Sequence, residues 1–82
     1  MIEKTTALVT DFDGLTGKGI VKTLGGRFIH IDFRQIEGVE GEETPRQDEI
    51  DRLDRLLGLE CELEMYRGKV LSCKIPALPR RA

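Results

Sequence analysis

The chain has no tryptophan, one tyrosine, one histidine and two cysteines among its 82 residues. Each shortage removes a class of chemistry. A single histidine, His30, with no cysteine or carboxylate cluster at ligand spacing argues against a metal centre and against histidine-based acid–base catalysis. Cys61 and Cys73 are too few, and too strand-like in setting, for a disulfide scaffold or a zinc site, and they read as reduced core fillers. No nucleophile, acid and base can be assembled, so neither an enzyme nor a cofactor is expected. No segment approaches the roughly 20 apolar residues of a membrane helix, and Met1-Ile2-Glu3-Lys4 lacks the apolar run of a secretory leader. The expectation is a cytoplasmic protein without a membrane partner.

With 34% charged and 39% hydrophobic residues the chain fits one small globular domain. Its net charge of −2 conceals three blocks. Residues 1–34 carry five Lys/Arg against four Asp/Glu, residues 35–66 carry three against eleven, and residues 67–82 carry five against none. A surface for anionic ligands would therefore be built from the first hairpin and the last strand, while the middle segment repels phosphate.

Strand signals dominate. Thr5 to Phe12 is β-branched and apolar and ends at Asp13-Gly14, with Leu8, Thr10 and Phe12 alternating against Ala7, Val9 and Asp11. Second and third strands are read at Lys18–Thr23 and Arg27–Phe33. A three-residue Leu24-Gly25-Gly26 loop with Gly26 left-handed sets Lys22 opposite Phe28, Ile20 opposite His30 and Lys18 opposite Asp32. A two-residue loop would set exposed Lys22 against buried Ile29, which alternation forbids. Thr44 as cap, Pro45 at the first position and Gln47 as the capping-box partner predict a helix from Pro45 to Leu57. Its apolar stripe is Ile50, Leu53, Leu56 and Leu57, and Asp48/Arg52 and Asp51/Arg55 pair on its wet side. Leu59–Met65 alternates strictly as a fourth strand with carboxylates outward, and Lys69–Ile75 is a fifth, with Leu71, Cys73 and Ile75 inward and Cys73 opposite Cys61.

Three strands, a helix and two strands in residues 1–75 is the order of a mainly β, five-stranded Greek-key barrel of the oligonucleotide/oligosaccharide-binding (OB) type, with its helix between strands three and four. Gly19 would sit where the second strand bends. Residues 76–82 read as an extended or disordered tail.

The second and third strands form the most informative segment. Alternation sends Val21, Ile29, Ile31 and Phe33 to one face and Lys18, Ile20, Lys22, Phe28 and His30 to the other. Cations beside rings suit a single nucleic-acid strand, whose phosphates take the cations and whose bases stack on the rings. Thr16-Gly17-Lys18-Gly19-Ile20-Val21 and Arg27-Phe28-Ile29-His30-Ile31 resemble the two strand motifs of the bacterial cold-shock domain, Lys-Gly-Phe-Gly-Phe-Ile and Val-Phe-Val-His-Phe, over roughly residues 7–38. The resemblance implies an OB-type barrel that binds single-stranded RNA or DNA with little sequence preference. Lys18 and Ile20 stand where that family has phenylalanines, Ile31 replaces a third ring, and Asp11 stands where a tryptophan is usual.

The candidate site is therefore Phe28 and His30 as stacking groups, Ile20 as an apolar platform, and Lys18, Lys22 and Arg27 as phosphate ligands. Set against it are cross-strand packing of the rings and a Lys18–Asp32 surface pair. The alternative function is an OB-type protein-interaction module or homodimer that has lost nucleic-acid binding, favoured by the acidic middle segment and the thinned set of rings. Asp11-Phe12-Asp13-Gly14 and Gly14-Leu15-Thr16-Gly17-Lys18-Gly19 only superficially match a calcium loop and a phosphate loop, since further acidic ligands and a following helix are lacking.

Overall fold

One strand serves two halves of the molecule. The computed structural model, which describes residues 1–81, has β1 at Glu3–Asp13, β2 at Lys18–Thr23, β3 at Phe28–Asp32, β4 at Glu60–Tyr66 and β5 at Lys69–Lys74. These strands make one antiparallel sheet in the order β3-β2-β1-β4-β5, curled into a half-barrel, with a short helix α1 at Ile50–Leu53 between β3 and β4. β1 is long enough to pair twice, from Glu3 to Leu8 against β4 and from Ala7 to Asp13 against β2. The two margins, β3 and β5, approach through a parallel bridge between Ile36 and Cys73, where the Glu37 amide donates to the Cys73 carbonyl at 3.0 Å. Among the described residues no helix is long and apolar enough to cross a membrane.

The β2–β3 hairpin has the register expected from alternation, with Lys22 opposite Phe28, Ile20 opposite His30 and Lys18 opposite Asp32. Gly26 has φ of 88°, the left-handed turn conformation that a residue with a side chain resists. Phe33 leaves the strand and opens a 3₁₀ turn, Phe33–Gln35, capped by the Asp32 side chain.

Strict alternation would put Phe12 on the outer face with Leu8. A β-bulge reverses this, because Val9 pairs with Val21 and Asp11 with Ile20, leaving Thr10 as the extra residue. The Thr10 hydroxyl donates to the Ile20 carbonyl at 3.1 Å. Phe12 consequently turns inward beside Ala7 and Val9. Its ring occupies the space over Gly19, where an added Cβ would overlap the ring and stand 2.6 Å from the Asp11 carbonyl oxygen.

A second bulge corrects the reading of the last hairpin. Arg67 and Gly68, with φ of 51° and 78°, make a two-residue turn that sets Tyr66 opposite Lys69. Leu71 is then the extra residue and is 51% exposed rather than inward. Cys73 lies opposite Leu63, so Cys61 and Cys73 are diagonal neighbours, not a directly facing pair.

The helix is shorter than its capping signals indicate. Pro45 forms an isolated antiparallel bridge with Gly41, so the helical turns begin only with the 3₁₀ segment Gln47–Glu49, which runs into α1. Nor do the expected i,i+4 ion pairs form. Asp48 is taken by Arg46 at 2.6 Å, and Arg52 turns inward to Glu49, also at 2.6 Å. Leu53 and Leu56 are fully buried under the sheet, whereas Leu57 is exposed.

Among the described residues, Glu49 and Arg52 are the buried charged ones. Glu49 accepts from Arg52, from Arg81 at 3.1 Å and from the Glu40 amide at 2.7 Å. Arg52 also donates to the Pro79 carbonyl at 2.7 Å and the Gly38 carbonyl at 3.1 Å. The cluster thus ties residues 76–81, which add no strand, to the β3–β4 connection. Burial pushes the Glu49 carboxyl upward, but the hydrogen bonds from Arg81, Arg52 and the Glu40 amide outweigh it and hold the group at about 2.

Glu49→Ala strands the buried guanidinium of Arg52, and a loss of about 3–5 kcal/mol in urea unfolding is expected. Stability contributed by the charged carboxylate is complete above its ordinary value of 4.5 and fades as pH falls toward about 2. The difference between the wild type and Glu49→Gln should therefore shrink across that interval. Gly19→Ala should cost about 1–3 kcal/mol by overpacking against Phe12, measured by the same unfolding curves, and Gly25→Ala, which meets only the Thr23 hydroxyl at 3.8 Å, should cost less.

Candidate nucleic-acid interface

The curl of the sheet presents the outer face of β1, β2 and β3 as three rows of side chains. Leu8, Lys22 and Phe28 form the first, Asp11, Ile20 and His30 the second, and Asp13, Lys18 and Asp32 the third. Every residue of the predicted site is therefore on one surface or at its rim. Lys22 lies over the Phe28 ring at 5.5 Å, a cation–π contact that holds both side chains above the sheet. Phe28 keeps 64% of its surface exposed, His30 is exposed, and Ile20, opposite His30, is half-buried. Arg27 sits at the end of the hairpin, its amide held by the Thr23 hydroxyl at 3.1 Å and its side chain in solvent.

The face is not uniformly cationic. Lys18 is 3.6 Å from Asp32, and Arg34 donates to the same carboxylate at 3.0 Å. Burial raises Asp32, and the hydrogen bonds and charge of Arg34 with the charge of Lys18 outweigh it, so the carboxyl stays below its ordinary value of 3.8. Asp32 thus remains charged and occupies Lys18 at neutral pH. Asp11 and Asp13 stand exposed on the same surface. The unoccupied positive charge is concentrated at the other end, around Lys22 and Arg27.

That end opens into a groove of about 520 Å³ between the β3 margin and the start of β5. Arg27, Phe28, Ile29 and His30 line one wall, Gly68, Lys69 and Val70 the other, and Gln35 closes the end. Among the described residues no carboxylate lines it, and neither Arg27 nor Lys69 is in an ion pair. Lys69 and Gln35 were not legible as site residues. The basic balance of residues 67–82 pointed to the last strand, but β5 comes near β3 only through the curl of the sheet. Arg81 belongs elsewhere, in the Glu49 cluster.

No family model matches the chain, and neither a curated protein nor a solved structure is significantly similar to it. The geometry therefore carries the functional argument alone. Among the described residues no three metal-ligating side chains converge. The thiols of Cys61 and Cys73 are fully buried, and the neighbouring Cys61 thiol together with burial raises Cys73 well above the ordinary thiol range. A polar cleft of about 460 Å³ on the opposite side, lined by Lys4, Glu37, Glu62, Glu64 and Lys74 among others, mixes both signs of charge.

Both thiols should resist an aromatic disulfide reagent in the native protein at pH 8 and react together once denaturant unfolds it. Rapid native-state reaction at either position would contradict their burial.

Proposed function

We propose that the chain is an OB-type barrel that binds single-stranded RNA or DNA, with little sequence preference, across the β2–β3 face and into the adjoining groove. Support for the fold type comes from the antiparallel order β3-β2-β1-β4-β5, the parallel Ile36–Cys73 bridge between its margins, and a helical turn between β3 and β4. The observation that carries the binding reading is the exposed Phe28 ring, flanked by Lys22 and opening onto a carboxylate-free groove with Arg27 and Lys69. Bases stack on Phe28 and His30, Ile20 supports them from below, and Lys22, Arg27 and Lys69 take phosphates. Lys18 contributes less, because Asp32 already holds it. Binding of this kind involves no covalent chemistry.

A second reading, a protein-interaction module or homodimer, is favoured by Asp11 and Asp13 on the same face. Each repels a backbone that Lys22 attracts. Salt separates the two readings, because phosphate contacts release counterions. Three phosphates met by Lys22, Arg27 and Lys69 give a slope of log affinity against log salt of about −2 for a single strand.

Phe28→Ala should weaken an oligothymidylate or oligouridylate by about 1–3 kcal/mol, or about 5- to 150-fold, in a fluorescence titration at low salt. An unchanged titration removes the ring from the mechanism, and absence of binding to the wild type at low salt leaves the protein-module reading.

A further inference from the structure

The β3 margin carries more than side chains. The Thr23 amide donates to the Arg27 carbonyl at 2.8 Å and the Phe33 amide to the Gly17 carbonyl at 2.7 Å. Antiparallel ladders alternate, so Arg27, Ile29, Ile31 and Phe33 turn their backbone groups to β2, and Phe28, His30 and Asp32 turn theirs away from it. The Asp32 amide is met there by Gln35 Oε1 at 2.7 Å, while Gln35 Nε2 donates to the Val70 carbonyl of β5 at 3.0 Å. The carboxamide of Gln35 therefore stands between the two margins as a peptide unit would, accepting from one and donating to the other. Two hydrogen bonds and one amide is the width of a single intervening strand, about 9–10 Å from margin to margin.

Beyond Gln35 the same margins bound the groove with Phe28 and His30 on one wall and Lys69 and Val70 on the other. We infer that this groove is a slot for one extended peptide of a partner protein, which enters between β3 and β5 as an added strand and extends the ladder that Gln35 begins. Main-chain bonding of this sort supplies affinity, and alternate side chains supply specificity. Inward-facing residues of the peptide meet half-buried Ile29 and Val70 and are apolar. The remaining residues are acidic, because Arg27 and Lys69 are the charged residues of the lining and no carboxylate opposes them. A slot one strand wide admits a lone segment but not the edge of another folded sheet, so the occupant is not a second copy paired edge to edge. The inference rests on the protein-interaction reading and does not require nucleic-acid binding.

The test uses the full chain and a fluorescein-labelled peptide of alternating valine and glutamate with blocked ends, with a valine–lysine peptide and oligothymidylate in parallel. Expected is saturable binding of the acidic peptide, at least about tenfold weaker binding of the basic one, and a comparable loss for Arg27→Glu combined with Lys69→Glu. In the complex the Phe28 and His30 amides should exchange with solvent at least about tenfold more slowly, while those of Ile29 and Ile31, already bonded to β2, stay as they were. Absence of peptide binding, or binding without protection of the Phe28 and His30 amides, overturns the slot. Oligothymidylate bound without peptide overturns it and leaves the nucleic-acid reading standing. Peptide bound with that protection but no oligothymidylate supports the slot and removes nucleic-acid binding.

Discussion

The contact between the Phe12 ring and Gly19 fixes the shape on which everything else depends. One extra residue at Thr10 rotates the end of β1 by half a period, which drives Phe12 inward, and the missing side chain at Gly19 leaves room for it. The sheet can then bend over its own core, since a bulge adds local twist and a glycine removes the crowding that twist creates. Without that bend the outer rows of β2 and β3 would lie on a flat sheet, far from the start of β5. The cationic end of the face and the groove are consequences of curvature.

A second constraint holds the connection between β3 and β4. Residues 34–59 contain little regular structure, yet the buried Glu49 carboxylate collects the Arg52 and Arg81 guanidinium groups and the Glu40 amide. Burying a charge is costly unless its partners are complete, and among the described residues no buried side-chain nitrogen or oxygen lacks one. The exposed pairs around Arg46 use similar distances in high dielectric and hold far less. Specific hydrogen bonds here do for an irregular segment what apolar packing does for the sheet.

The surface that results has two kinds of recognition chemistry side by side. Rings and ammonium groups project from the face of β2 and β3, while the Phe28 and His30 main-chain groups at the β3 margin have no partner among the described residues. A nucleic acid would use the first, an extended peptide the second, and both depend on Arg27 and Lys69. Asp11, Asp13 and Asp32 would limit how far either proposed ligand extends toward the β1–β2 turn, because phosphate and an acidic side chain meet the same repulsion there.

Local chemistry made much of the fold legible. Period-two alternation and the glycine of one loop are short-range properties, and they were enough to set the β2–β3 register and the common face of Lys18, Ile20, Lys22, Phe28 and His30. They failed where one residue's placement depends on distant partners. The bulges at Thr10 and Leu71 reversed parity that local pattern cannot count, and the bridge from Gly41 to Pro45 overrode a strong capping signal. Arg52, read as a surface partner of Asp48, is buried because Glu49, Gly38 and Pro79 converge on it from three parts of the chain. What the sequence determined by itself was which residues alternate and which turns they flank, since those follow from backbone sterics within a few residues. Only the tertiary structure decided that Lys69 stands across from Arg27, Phe28 and His30 with Gln35 at the end of the groove, because that proximity arises from the curl of the sheet.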